Sequence, residues 1–307
     1  MSKIEEALEK ARNKESGKNQ ISALETGTQL RTVSSMDESD FEAYVAASKQ
    51  IARMKEPWQH SRKELAESGI IYPGMDDGRV ANAFRELRTK ILQTTHGKNS
   101  AILVTSTSNS AGCSFVARNL AVAFSFDESK TALLMDCNLA NPSHNELIPP
   151  DITLGLTDYL RADNLSVEQI IHPVGIQRLR LIPAGGQLDI TAEYFTSLKM
   201  KMLLRSIKER FADRYIIIDA PPVMQSADAR ILAEVCDYAI LVVPYGRATE
   251  AQVLKASKSI GAHKLIGVVF NDEPQLPPVS WLRKNKGGLN QVSTRKSSSG
   301  QHNKGKL

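Results

Sequence analysis

Fourteen residues constrain the fold of this chain more than any others: Ala101-Ile102-Leu103-Val104-Thr105-Ser106-Thr107-Ser108-Asn109-Ser110-Ala111-Gly112-Cys113-Ser114. An apolar, β-rich run leads into a loop of small residues that ends in Gly112 and Ser114, and a helical pattern follows. A strand, a small-residue turn and a helix in that order form a cradle for phosphate, because backbone N–H groups and the helix N-terminus face the anion. Such a loop ordinarily ends in Gly-Lys-Ser/Thr, and its lysine reaches the β- and γ-phosphates. Here Cys113 stands at the lysine position and Ser110 at that of the first glycine. The sequence therefore predicts a nucleotide-handling fold and puts the nucleotide chemistry in question.

From Ser100 onward the pattern alternates. Strands are predicted over 101–106, 131–136, 179–183, 215–219, 238–243 and 265–271, with helices over 114–126, 194–211, 228–235 and 250–260 between them. Short apolar strands alternating with helices give an α/β architecture, a mostly parallel sheet with helices on both faces, here of the P-loop NTPase kind. Ligands of such sheets bind beyond the C-terminal strand ends. The loop and the acids Asp136 and Asp219 all fall at such ends and are expected to converge. Upstream, an amphipathic helix is expected at 3–13, a polar linker at 13–39, a helical pattern at 41–68 closed by Pro73-Gly74, and a helix at 79–94. The domain reading is an N-terminal helical and partly disordered extension at 1–78, a P-loop domain at 79–276 and a basic, disordered tail at 277–307.

Composition narrows the partners. The tail after Trp281 carries Arg283, Lys284, Lys286, Arg295, Lys296, Lys304 and Lys306 and no acid. These charges exceed the net +5 of the whole chain, so the remainder is slightly acidic. The basic character belongs to the tail and not to a groove, and no aromatic residues are interleaved with it as single-stranded nucleic-acid binding requires. Nucleic acid is therefore not an expected partner. A solvated tail and a weak attraction to an anionic leaflet both remain open. No apolar stretch approaches the length of a membrane span, and Met1-Ser2-Lys3-Ile4-Glu5-Glu6-Ala7-Leu8 lacks an apolar signal region, so the expected location is cytoplasmic. Cys113, Cys137 and Cys236 have no metal-ligand spacing; Cys137 and Cys236 read as small buried residues. For Cys113 two readings stand: a small residue tolerated where lysine was dispensable, or a thiol activated at a helix N-terminus.

Three segments together resemble one family. The stretch from Thr105 to Ser114 looks like its Walker A loop. Leu133-Leu134-Met135-Asp136-Cys137-Asn138-Leu139-Ala140-Asn141-Pro142-Ser143 looks like its second acidic motif, usually Leu-Leu-(Ile/Val)-Asp-Ala-Asp-Leu-Arg-x-Pro-Ser. Tyr215-Ile216-Ile217-Ile218-Asp219-Ala220-Pro221-Pro222 looks like its Walker B strand. The family is the bacterial tyrosine kinases of exopolysaccharide and capsule synthesis, of the CpsD/CapB type. Leu265-Ile266-Gly267-Val268-Val269-Phe270-Asn271 matches its late Gly-Val-(Val/Ile)-Leu-Asn segment, and the opening Ser2 to Leu8 is similar to exosortase-linked members. The resemblance implies ATP and Mg²⁺, with Ser110, Ala111, Gly112, Cys113, Ser114 and Asn271 at the nucleotide. Mg²⁺ would be held by Ser114, Asp136 and Asp219, and the two acids would also serve the attacking tyrosine.

The departures cluster at that site. Cys113 removes a fixed charge, Asn138 replaces the second acid of Asp-x-Asp, and Ala140 and Asn141 replace the basic residues that usually follow. Ser110 replaces a glycine whose φ can need to be positive. No tyrosine follows Tyr245, so the family's tail cluster of phosphate acceptors is absent. Arg85 and Arg88 match half of the family's Glu-x-x-Arg-x-x-Arg oligomerisation motif, with Asn82 in place of the glutamate, and offer a homo-oligomer contact. These features point to a pseudokinase with weak or absent ATP binding that regulates a Wzz-like chain-length protein, at the inner membrane through that partner. An active autokinase with unconventional contacts is the alternative, and Arg118 is the candidate for a replacement cation. A ParA/MinD-like positioning ATPase is disfavoured because Ser108 stands where its signature lysine belongs.

Overall fold

The computed structural model describes residues 51, 54, 56–75, 78–186, 191–211 and 213–273. The helix expected at 3–13, the linker at 13–39, residues 41–50, 52, 53 and 55 of the helical pattern at 41–68, and the tail at 277–307 lie outside them. The α/β architecture is as expected. Seven strands, β1 (Ala101–Ser106), β2 (Thr131–Asp136), β3 (His172–Pro173), β4 (Leu179–Ile182), β5 (Arg214–Asp219), β6 (Tyr238–Pro244) and β7 (Leu265–Asn271), form one sheet in the order β3-β4-β2-β5-β1-β6-β7. All neighbours pair in parallel except the edge pair β3 and β4.

Every residue of β1, β2 and β5 is buried, so these strands read in the sequence as continuous apolar runs. Alternate side chains divide between two cores because a strand presents successive residues to opposite faces. Ile102, Val104, Leu134, Tyr215 and Ile217 pack under α2 (Gly78–Thr94) and α3 (Cys113–Ser125). Leu103, Leu133, Met135, Ile216 and Ile218 pack on the other face, under α6 (Leu198–Arg210), α7 (Ala227–Val235) and α8 (Glu250–Ile260). Tyr215 stacks on Phe124 with ring centroids 4.3 Å apart, and its hydroxyl pairs with Thr95 Oγ1 at 3.0 Å, which satisfies the polar end of a fully buried ring.

Two expected helices are interrupted. The pattern at 41–68 bends at Pro57 and Trp58, and a new helix, α1 (Arg62–Glu67), begins at Ser61, whose side chain accepts from Glu64 N while Glu64 reaches back to Ser61 N at 2.7 Å. The chain then enters the core. Ile70 and Ile71 are buried with β1, and Asn119 of α3 accepts from Ile71 N at 2.8 Å and donates to the Gly69 carbonyl at 3.0 Å. The packed unit thus includes residues upstream of 79. The helix expected at 194–211 is two helices, α5 (Ala192–Thr196) and α6, because Ser197 takes an extended backbone and its side chain caps Met200 N. A six-residue α4 (Leu156–Arg161) and two short 3₁₀ turns complete the described elements.

Candidate nucleotide and metal site

Strand register brings the predicted acids together. Asp136 of β2 lies directly opposite Asp219 of β5, and Val104 of β1 lies opposite Asp219 on its other side. Parallel neighbours are about 4.8 Å apart, so the two carboxylates and the end of β1 share one spot by construction. Both acids are fully buried. Asp136 spends its carboxylate on the turn that follows it: Oδ1 accepts from Asn138 N at 3.1 Å, and Oδ2 from Ser143 N at 3.1 Å and His144 N at 3.3 Å. Burial pushes its pKa up, and the Asp219 charge adds to that; His144 and these N–H donors oppose the rise.

The turn delivers a residue that the sequence reading missed. His144 is fully buried, and its Nε2 lies 3.0 Å from Asp219 Oδ2. Its Nδ1 and Asp219 Oδ1 are buried and have no hydrogen-bond partner. Arg118 of α3 clamps this turn by pairing with Glu146 and donating to the Ser143 carbonyl at 2.7 Å. It is largely buried in that role, so the cation considered as a substitute for the missing lysine is committed to the loop that carries His144. The available signal was the run Asn141-Pro142-Ser143-His144, a histidine eight residues after a strand-end acid.

The loop between β1 and α3 keeps the backbone of a phosphate cradle. Thr107 N donates to Val242 O at 3.1 Å and Thr105 Oγ1 to Pro221 O at 2.7 Å, which tie it to β6 and to the turn after β5, and Ser106 Oγ donates to Ser108 O at 2.9 Å within the loop. Gly112 caps α3 with φ +79° and no side-chain cap, leaving the first helical N–H groups open. Asn271, at the end of β7, donates to Ala111 O at 2.9 Å, and a Cβ on Gly112 would fall 2.1 Å from its Nδ2. Asn271 therefore braces the loop from below. Ser110 has φ +55°, so the serine occupies the left-handed region that its place in the motif implied. Ser114 is the second residue of α3 and is partly exposed; Asn138 sits in the turn that follows Asp136.

Cys113 points inward. Its thiol lies within donating distance of Val104 O at 3.3 Å and Ala220 O at 3.6 Å. Burial pushes the thiol well above its ordinary value and the Asp219 charge pushes it further, so the helix N-terminus does not produce an activated thiolate here. Cys137 and Cys236 are buried as expected, and burial pushes the Cys236 thiol up to about 12. A cleft of about 340 Å³ between α2 and the strands β6 and β7, lined by Leu87, Lys90, Ile266 and Val268 among others, contains none of the predicted site residues.

No family model matches the chain. It is 30% identical over 191 residues to the tyrosine-protein kinase YwqD of Bacillus subtilis, covering 61% of this chain and 79% of that protein. It is 30% identical over 191 residues to the tyrosine-protein kinase CpsD of Streptococcus agalactiae serotype III, covering 61% and 80%. The chain belongs to the bacterial tyrosine kinase family. Among solved structures, the chimerical protein CapA2B2 matches with a TM-score of 0.61 at 23% identity, over 76% of this chain and 100% of that one, which is a likeness of fold. Family membership raises the question of Mg²⁺ and ATP, and the residues present fit them poorly. The loop retains a backbone for phosphate without a cation, and the buried donor cluster includes an imidazole where Mg²⁺ takes an all-oxygen shell.

Proposed function

We propose that the chain is a pseudokinase of exopolysaccharide or capsule synthesis, a cytoplasmic protein that acts by binding. Its partner in this reading is the cytoplasmic segment of a Wzz-like chain-length protein, which holds it at the inner membrane. The observation that carries the reading is the inward thiol of Cys113 at the lysine position, hydrogen-bonded to Val104 and Ala220 carbonyls. Two further facts support it. Arg118 is engaged with Glu146, and Asn138 offers no second carboxylate. A homo-oligomer through Arg85 and Arg88 is not required: Arg85 donates to Asn82 Oδ1 at 2.8 Å and lies over Phe126, and Arg88 donates to Ala123 O at 2.9 Å. Among the described residues no helix is long and apolar enough to cross a membrane, so attachment through a partner is the simpler route.

A lost charged hydrogen bond to phosphate costs roughly 1.5–3 kcal/mol, about ten- to a hundredfold in affinity. Calorimetry with ATP and Mg²⁺ on the full chain is expected to give weak or undetectable binding. The double substitution Cys113→Lys with Ser110→Gly is expected to restore binding by that factor while remaining silent on an anti-phosphotyrosine blot after co-expression with the chain-length protein. Binding energy common to ground and transition states does not raise turnover. Micromolar ATP binding by the natural chain, or tyrosine phosphorylation on that blot, overturns the reading in favour of an active autokinase.

A further inference from the structure

The two edges of the sheet are guarded unequally. One edge strand, β3, has two residues, one of them Pro173, and so short a strand with proline offers little backbone to another chain. The other, β7, runs for seven residues, Leu-Ile-Gly-Val-Val-Phe-Asn, without proline or charge. Among the described residues only β6 pairs with it, so its outer row of N–H and C=O groups is open. Only Leu265 of the strand is buried, and Phe270 is 43% exposed. A Cβ on Gly267 would meet nothing within 4 Å, so a second backbone has room at mid-strand. Alongside runs the cleft of about 340 Å³, in which Ala83, Leu87 and Ile91 of α2 face Ile240, Ile266 and Val268. Val80, one turn before Ala83 on the same stripe of α2, is 37% exposed.

We propose that β7 is an interface between two copies of this chain, which pair their β7 strands antiparallel about a two-fold axis at Val268 and continue one sheet through both. A strand edge is completed by a strand, and an edge that meets its own copy satisfies both rows of backbone groups at once. With Val268, the middle residue of β7, on the axis, Phe270 lies across from Ile266 of the second copy. Charge favours the copy over a foreign strand. The rim of the cleft carries Glu86 and Lys90, both exposed and one helical turn apart on α2. Neither is held by an ion pair among the described residues. The two-fold axis runs the two α2 helices antiparallel beside each other and sets Glu86 of each copy against Lys90 of the other. The arginines of the family's oligomerisation motif are not on this face. Arg85 lies over Phe126 and Arg88 donates to Ala123 O, both toward α3. The contact is therefore closed, two-fold and independent of that motif. It does not rest on the pseudokinase reading, because neither the phosphate loop nor the two strand-end acids take part in it.

The test is sedimentation equilibrium of the full chain over a range of concentrations. A reversible monomer–dimer equilibrium is expected, with the β7 amides exchanging more slowly with deuterium as the dimer fills. Glu86→Lys and Lys90→Glu each turn two attractive pairs into repulsive ones, and each should weaken the dimer about tenfold. The double variant E86K/K90E restores opposite charges and should return the affinity to within about twofold of the natural chain. Phe270→Lys puts a charge on the edge and should leave a monomer. Circular dichroism checks that each variant is folded; if Phe270→Lys is not, the charge exchange on exposed helix positions decides. A chain that stays monomeric at every concentration, or that assembles beyond the dimer, overturns the proposal. So does a dimer that the single charge reversals leave unchanged or that the double variant does not restore. Protection of β7 that appears only when the chain-length protein's cytoplasmic segment is added would give the edge to a foreign strand, and overturns it too.

Discussion

The phosphate loop and the acidic strand ends meet behind Cys113, yet they have kept different things. At the strand ends the side chains are the ones the family motifs call for. Asp136 holds three backbone N–H groups of the following turn, and Asp219 faces His144. In the loop the backbone is kept, with Gly112 at φ +79° and Asn271 beneath it, while the lysine and the first glycine are replaced. The difference follows from who the partners are. Asp136 has partners in the protein, so the fold holds it in place whatever the site does. A loop lysine has its main partner in a ligand, and the fold loses little when it goes.

That contrast is broken most directly at Asp136. Replacing it with Ala leaves three N–H groups in a closed turn without an acceptor, at about 1–3 kcal/mol each, partly offset by removal of a buried charge. The expected net loss is about 3 kcal/mol of unfolding free energy, read by denaturant titration. A loss below about 1 kcal/mol would mean that the acid is kept for chemistry alone. Next in size is Gly112→Ala. The new Cβ would meet Asn271 Nδ2 at 2.1 Å on a backbone that disfavours it. Left-handed strain and a displaced hydrogen bond together cost about 2 kcal/mol. In a double-mutant cycle, Asn271→Ala should make the combined loss smaller than the sum, because the colliding amide is gone. Strict additivity would place the whole cost in the backbone.

The same division explains what the sequence disclosed. The strands β1, β2 and β7 have the bounds the apolar runs predicted, and the convergence of Asp136 with Asp219 followed from both ending buried parallel strands. β3 is two residues and α4 six, too short for any periodicity to register. The break at Ser197 went unread because apolar residues continue through Phe195, Leu198 and Met202; only the structure reveals that Leu198 and Met202 are exposed. His144 was illegible for a different reason. Its partner Asp219 is 75 positions away, and the run Asn141-Pro142-Ser143-His144 hints at the residue without marking a contact made by tertiary packing.

A smaller effect of opposite sign is expected in the loop. Ser110 pays for its φ of +55°, so Ser110→Gly should stabilise the chain by about 0.5–1 kcal/mol. The same change at a position without positive φ would destabilise. A loss on Ser110→Gly would show that the serine side chain contributes a contact worth more than the strain, and the loop would then be under side-chain constraint as the strand ends are.

The smallest expected effect is a slope with pH, at a carboxylate outside both regions. Glu56 pairs with Arg180 of β4, and two influences oppose each other there. Burial raises its pKa; the hydrogen bond and charge of Arg180, with a backbone bond from Gly175, lower it, and burial prevails. A carboxyl whose folded pKa lies above its unfolded value contributes most below the unfolded value, and the contribution is lost as pH rises through the folded one. The Glu56→Gln variant cannot titrate, so the natural chain's stability relative to it should be greater at about pH 5 than at about pH 7. Unfolding of both proteins at the two pH values checks this. A relative stability that instead rises toward neutral pH would mean that Arg180 outweighs burial. The pair would then behave unlike Asp136, whose N–H donors oppose burial without overcoming it.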